Sequence, residues 1–256
     1  MPSRRAVPVM GTVFSVDVRD RHISGAVLDA VASYWHRVDA TFSTYRSASD
    51  ISRLCRGEIS IADAHPDVAA VLNLCAEASA RTGGFFSATA AGRLDPSGLI
   101  KGWSVEQAAR MLRAAGASAF CINGGGDVWV AGEPEPGRPW SVGVADPADP
   151  GRVLAVVTGR GLAVATSGTG ERGAHIINPF TARAATDLVA VTVAGPSLTW
   201  ADAYATAAMA MGDRARGWLS RLPGYAAIAV RADGSIWPTP GFASQASPCL
   251  AAAETP

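Results

Sequence analysis

Between Asp95 and Gly132 the chain reads as a helix, a short strand, a run of three glycines and a second strand, and few folds accommodate that order. Val105, Ala108, Ala109, Leu112 and Ala115 recur at steps of three and four, giving one apolar helix face with Gly116 as its stop. Ser104 with Gln107 three residues on has the form of a capping box, which predicts a helix start at Ser104. Ala119 to Ile122 is short, apolar and strand-like, and Val128-Trp129-Val130 resumes as a strand. Between them, Asn123-Gly124-Gly125-Gly126-Asp127 either brings bare backbone against a ligand or closes a tight hairpin with an acid at its exit. A helix feeding straight into two short strands calls for mixed helix and sheet.

The same stretch holds Lys101, the only lysine in a chain whose other basic residues are all arginine. A compact ammonium suits a point-charge contact to phosphate or carboxylate. The alternative is an accident of an Arg- and Ala-rich composition. Further on, Thr199-Trp200-Ala201-Asp202 resembles a capping-box start, with Asp202 in the first helical turn and Thr206 four residues later on the same face. One reading is structural: Asp202 favours the positive helix end and Thr206 bonds back to its own helix. The other is a small oxygen-lined site for a hard cation such as magnesium, which takes one or two carboxylates and completes its shell with water and phosphate oxygens. His175 follows Thr166-Ser167-Gly168-Thr169-Gly170, whose hydroxyls and backbone donors suit phosphate, and is a candidate base or phosphate partner. A Gly-x-Ser-x-Gly elbow is absent, and the glycine run precedes a strand rather than a helix, so neither a serine hydrolase nor a dinucleotide fingerprint is indicated.

With 48% hydrophobic and 17% charged residues, 256 residues are expected to fold around a sizeable core. A net charge of zero without a basic block offers no electrostatic footprint for nucleic acid. The four cysteines lie far apart with no Cys-x-x-Cys, which points to reduced thiols rather than a zinc site or a disulfide framework. No apolar run reaches the roughly 18 residues of a membrane span. None follows Arg4-Arg5 as a signal core, so the expected setting is cytoplasmic. Elsewhere the patterning predicts a strand over Val7 to Val18, a helix through Val27 to Val38, a short capped turn or helix at Ser49 to Leu54 and a helix opening at Pro66. Strands are expected at Trp140–Val144, Val153–Val157, Leu162–Thr166 and Leu188–Val193, and a hairpin around Asp233-Gly234. One domain is expected over residues 1–237, followed by a loose Pro-, Ala- and Ser-rich tail over 238–256.

Several short motifs recur in a telling order: Met10-Gly11-Thr12, Ser43-Thr44-Tyr45, Thr82-Gly83-Gly84, Asp95 to Gly102, Asn123 to Asp127, Thr166-Ser167-Gly168, His175 to Pro179 and Ala201 to Thr206. Together, from about residue 9 to 212, they resemble the ApbE family, the FAD:protein FMN transferases. The resemblance implies an α+β (mixed α/β) fold: a single T-fold-like domain with an antiparallel sheet and packed helices. It implies a magnesium-dependent enzyme that cleaves the pyrophosphate of FAD and attaches FMN, through a phosphoester, to a threonine or serine of an acceptor flavoprotein, with release of AMP. By the same resemblance Met10, Tyr45 and Phe85-Phe86-Ser87 would contact the flavin nucleotide, and Asp95 and Lys101 would make further FAD contacts. Gly98 and Ala205, through their backbones, would hold the metal with Asp202 and Thr206. His175 would sit near the pyrophosphate and, with Asp202, serve catalysis. Two departures stand out. The family's Ala-Phe-Asp-Pro is Phe85-Phe86-Ser87-Ala88 here, and its His-x-x-Asp-Pro is His175-Ile176-Ile177-Asn178-Pro179. Two other outcomes stay open, an FAD pyrophosphatase in which water replaces the acceptor hydroxyl and a non-catalytic FAD-binding relative that has lost turnover through the Ser87 change. The family's exported members carry a lipoprotein signal; with none read here, a cytoplasmic or cytoplasm-facing acceptor is expected.

Overall fold

Among the described residues all the strand pairings of the computed structural model are antiparallel, and half of them are made by hairpins. The structure describes residues 3–149, 151–170 and 173–248, and in 245–248 the backbone alone. In chain order the elements are β1 (Ser3–Val9), β2 (Thr12–Val18), α1 (Gly25–Phe42), α2 (Asp50–Cys55), α3 (Pro66–Arg81), α4 (Ser97–Ala114), β3 (Phe120–Gly124) and β4 (Asp127–Ala131). Then come β5 (Trp140–Ala145), β6 (Val153–Gly159), β7 (Gly161–Gly168), β8 (Ile177–Asn178), β9 (Arg183–Ala184), β10 (Leu188–Gly195) and α5 (Leu198–Met211). The chain closes with α6 (Ala215–Leu219), β11 (Ala226–Arg231), β12 (Ile236–Pro238), α7 (Pro240–Gln245) and β13 (Ala246–Pro248).

Eight strands form the main sheet in the order β1-β2-β3-β4-β7-β10-β11-β12, and β13-β6-β5 form a smaller one. Alternation along the central strands divides the main sheet into two faces. Phe14, Phe120, Ile122, Trp129 and Val191 point to the helices, where they join Trp35, Leu99, Leu112 and Met209 in one core. Trp35 meets Phe14 edge-on at 5.2 Å, and its indole N–H donates to the Ser104 carbonyl of α4, 3.4 Å away. Val128, Val130, Val164 and Ile228 point the other way, onto Trp140, Val142 and Val157 of the small sheet and Phe242 of α7. The result is three layers, helices, large sheet and small sheet, each burying the apolar face of its neighbour.

The α+β expectation and the antiparallel sheet hold, while several local readings are revised. Val7 to Val18 is a hairpin and not one strand, because Met10 (φ 53°) and Gly11 (φ 75°) make a two-residue turn with both φ positive. The helix expected from Ser104 begins two turns earlier at Ser97; Ser104 is fully buried inside it, its hydroxyl donating to the Lys101 carbonyl. The cap of α5 is Ser197, whose hydroxyl accepts from Trp200 N–H, so Thr199 is already helical and Asp202 falls in the second turn. Residues 240–248, expected to be loose, form α7 and β13, and β13 pairs with β6; residues 249–256 lie outside the described residues.

Candidate active site

Two helices create the centre of the site by unusually close approach. Gly98 and Gly102 lie one turn apart on α4 and face α5 in the antiparallel sense: Gly98 opposite Thr206, Gly102 opposite Asp202 and Leu198. A β-carbon on Gly98 would stand 2.9 Å from the Thr206 methyl, and one on Gly102 would stand 2.8 Å from Asp202 Cβ and overlap the Leu198 carbonyl. Glycine at both positions therefore lets side chains of α5 reach backbone atoms of α4. Asp202, 3% exposed, accepts from Gly102 N–H at 2.9 Å. The Thr206 hydroxyl donates to the Gly98 carbonyl at 3.3 Å and bonds Ser167 Oγ at 3.2 Å. Neither side chain performs the local duty that its sequence position suggested; Asp202 and Thr206 both cross to another element.

Lys101 lies on the same stretch of α4. Its ammonium is 2.7 Å from Oδ2 of Asp127, a carboxylate that is 1% exposed and whose other oxygen accepts from Thr166 N–H at 3.1 Å. The glycine turn thus does two things. Gly125 and Gly126, with φ of 65° and 97°, form a turn whose Gly126 N–H is held by Asn123 Oδ1, and the acid at its exit fixes the ammonium.

These groups open on a cavity of about 550 Å³, within the usual range for small-molecule sites. Its lining includes the polar groups of Lys101, Asp202, Thr206, Ser167, Asp95 and His175, and Phe85, Ala88, Ile176 and Ile177 lend it apolar wall. Asp95 Oδ1 accepts from Ser97 N–H at 3.0 Å, so it both starts α4 and borders the cavity. His175 is exposed, with Nδ1 3.1 Å from the Gly173 carbonyl. Thr82, at the end of α3, donates to Ala78 carbonyl and accepts from Phe86 N–H; this steers Phe86 into the core and Phe85 to the cavity, against Phe180. Ser87 also lines the cavity, its hydroxyl turned to Thr89. Two of the expected flavin contacts are elsewhere: Tyr45 is 82% exposed and Met10 occupies the β1–β2 turn, and neither borders this cavity. Ala205 is fully buried on α5 between Asp202 and Thr206.

The structure adds participants that sequence reasoning missed. In the sequence Asp127 shows only as the acid closing a turn. Gly143, Ala145, Asp146 and Pro147, from the β5–β6 hairpin, border the cavity although they come from the small sheet. Their only signal in the chain was a turn between two strands. No cysteine is among the residues that line the cavity; burial, with Asp95 nearby, pushes Cys75 up to about 12, and burial, with Asp17 nearby, raises Cys121 to about 11.

The donors fit a hard cation. A carboxylate, a hydroxyl and the Gly98 carbonyl converge at the α4–α5 contact, an all-oxygen set of the kind that holds magnesium while water and phosphate complete its shell. Among the described residues no group of three or more His, Cys, Asp and Glu side chains is placed to hold a metal, so a cation here would rest on this mixed set of side-chain and backbone oxygens. None of the described helices is long and apolar enough to cross a membrane.

Known proteins resemble this chain in sequence and in fold. The FAD:protein FMN transferase of Rhodobacter capsulatus is 36% identical over 163 residues, 60% of this chain and 31% of that protein. Its Escherichia coli K12 counterpart is 31% identical over 164 residues, 59% of this chain and 47% of that one. The chain thus spans less than half the length of these curated relatives. An ApbE protein from Thermotoga maritima superposes with a TM-score of 0.85 at 19% identity, covering 96% of this chain and 99% of that one. A flavin transferase ApbE from Vibrio cholerae gives 0.81 at 20% identity, covering 96% and 100%. At such identities the likeness speaks for the fold. The ApbE family model matches residues 10–92 and 89–229, and on that match the chain belongs to the ApbE family.

Proposed function

We propose that the chain is an FAD:protein FMN transferase that moves FMN from FAD onto a threonine or serine hydroxyl of an acceptor flavoprotein and releases AMP. The observation that carries this reading is that Asp202, Thr206, Gly98 and Lys101, neighbours on the α4–α5 contact, line one cavity with Phe85, Ile176 and other apolar groups. A dinucleotide with a planar ring system and a pyrophosphate calls for both kinds of lining. Magnesium held by Asp202, Thr206 and the Gly98 and Ala205 carbonyls would neutralise charge on the pyrophosphate oxygens. Lys101 adds a second positive charge, fixed in place by Asp127 so that no reorganisation is needed as charge develops. His175, exposed at the cavity, takes the proton of the acceptor hydroxyl as its oxygen bonds the FMN phosphorus and the bridging P–O bond breaks toward AMP. Phe85 and its neighbours at the apolar wall orient the flavin half.

The test is incubation with FAD and magnesium, with and without an acceptor flavoprotein carrying such a threonine or serine, against an EDTA control. The expected result is AMP in step with covalent flavin on the acceptor, abolished by EDTA and in Asp202→Ala. AMP with free FMN alone would make the enzyme a pyrophosphatase. FAD bound and intact under every condition would make it a binding protein.

A further inference from the structure

Glu106 stands outside the cavity and takes no part in the chemistry above, yet one of its oxygens collects three hydrogen bonds. Oε2 accepts from Ser197 Oγ at 2.9 Å, Thr199 N–H at 3.0 Å and Thr199 Oγ1 at 2.7 Å. These donors are the cap and the second residue of α5, so a side chain of α4 closes the start of the helix that bears Asp202 and Thr206. The positions on α4 are regular: Gly98, Gly102 and Glu106 recur every four residues and form one stripe. Opposite them, in reverse order, stand Thr206, Asp202 and the Ser197–Thr199 cap. At two points on this seam the glycines let the helices touch, and each contact carries one hydrogen bond, Gly102 N–H to Asp202 and the Thr206 hydroxyl to the Gly98 carbonyl. Glu106 adds the densest of these contacts, because three donors converging on one oxygen define where α5 begins relative to α4. A hydrogen bond to a carboxylate is also stronger than a neutral one.

We infer that Glu106 is a positioning residue for the metal site: it fixes the axial register of α5 against α4 and so holds the Gly98 carbonyl, Asp202 and Thr206 in one coordinating arrangement. This rests on the reading of those three groups as metal donors. Outer groups that orient metal ligands typically change metal affinity by about 10–100-fold when removed. Glu106→Ala should act within that range, and Glu106→Gln, which keeps an acceptor oxygen at the same reach, should recover much of the loss.

Mn²⁺ serves as the probe, its free form read by electron paramagnetic resonance with the full chain in the presence and absence of FAD, alongside thermal melting of each variant. Expected are tight binding by the wild type, loss in Asp202→Ala, weakening of at least tenfold in Glu106→Ala and intermediate affinity in Glu106→Gln. If Glu106→Ala does not fold, the pair Ser197→Ala with Thr199→Val removes two of the three bonds from the other helix and should weaken Mn²⁺ binding in the same direction. A Glu106→Ala protein, or that pair, that melts lower but binds Mn²⁺ like the wild type, while Asp202→Ala does not, would overturn the inference and leave the metal site standing. Equal Mn²⁺ binding by Asp202→Ala and the wild type would remove the metal reading itself, and this inference with it.

Discussion

Asn178 occupies the position where the family pattern has an aspartate, and its contacts explain why an amide serves better in this chain. Its Nδ2 donates to the Ala210 carbonyl near the end of α5, while Oδ1 accepts from Phe180 and Thr181 N–H in the β8–β9 turn. A carboxylate can accept as Oδ1 does but has nothing to donate to Ala210. Asn178→Asp should therefore cost about 1 kcal/mol, the lower end of the range for an unmet polar group because the site is only partly buried. It should lower the melting temperature at neutral pH, and an unchanged melt would show that the strut is not stabilising. Lys101 allows a sharper experiment. Lys101→Met keeps the length of the side chain but leaves the nearly inaccessible Asp127 carboxylate without the ammonium 2.7 Å away. Breaking a buried pair typically costs 3–5 kcal/mol; with Lys101 22% exposed, about 2–3 kcal/mol is expected. The double variant with Asp127→Asn should regain most of that stability without regaining FAD turnover, since the charge is still missing. Denaturant titration beside an AMP assay reads both, and a double variant as unstable as the single would dissociate the two residues.

At the scale of elements, the α4–α5 seam makes opposite demands at its two glycines. Alanine raises helix propensity by about 1 kcal/mol over glycine. At Gly98 the new β-carbon would meet side-chain atoms only, the Thr206 methyl and hydroxyl and, at 3.3 Å, the Phe86 ring, which can give by small shifts. Gly98→Ala should accordingly be close to neutral in stability while displacing the Thr206 hydroxyl and weakening Mn²⁺ binding. At Gly102 it would overlap the Leu198 backbone carbonyl and press on Asp202 Cβ, so the helices must part. Gly102→Ala should lose about 1–3 kcal/mol as well as the metal. Matching melts for the two variants would contradict this account of the seam. The same glycines explain what could and could not be read in the chain. The apolar rows of α1, α3 and the second half of α4 announced those helices, because a buried stripe repeats locally. The first two turns of α4 did not, since Gly98 and Gly102 count against a helix until α5 is brought beside them. Met10 hid the β1–β2 turn in the same way: a methionine at positive φ has none of the Asn-Gly character that marks such hairpins. Asp202, Thr206 and Lys101 could be singled out from residue type and spacing alone. That Asp127 would meet Lys101, or Glu106 the cap of α5, depends on contacts between residues 26 to 93 positions apart, which no local pattern encodes.

For the molecule as a whole, the cavity borrows walls from different layers. Lys101, Asp202 and Thr206 come from the helices, Ser167 from the central strand β7 and Gly126 from the β3–β4 turn of the main sheet, and Gly143 to Pro147 from the hairpin of the small sheet. The small sheet is fastened to the opposite face of the main sheet by its own apolar cluster, in which Phe242 of α7 is 1% exposed. Truncating a buried phenylalanine to alanine costs about 3–5 kcal/mol. In Phe242→Ala that loss falls on the layer holding α7 and the β5–β6 hairpin, while the seam between α4 and α5 lies across the sheet in the other core. The two halves of the site should therefore separate. FAD affinity, measured by quenching of flavin fluorescence, is expected to drop because one wall of the cavity is no longer held against it. Mn²⁺ affinity in the absence of FAD is expected to stay near the wild-type value, since its donors do not lean on that layer. Unchanged FAD affinity would mean that the β5–β6 hairpin is scenery rather than wall. Parallel loss of FAD and Mn²⁺ would mean that the two cores melt as one unit, and that the metal donors depend on both layers of the protein.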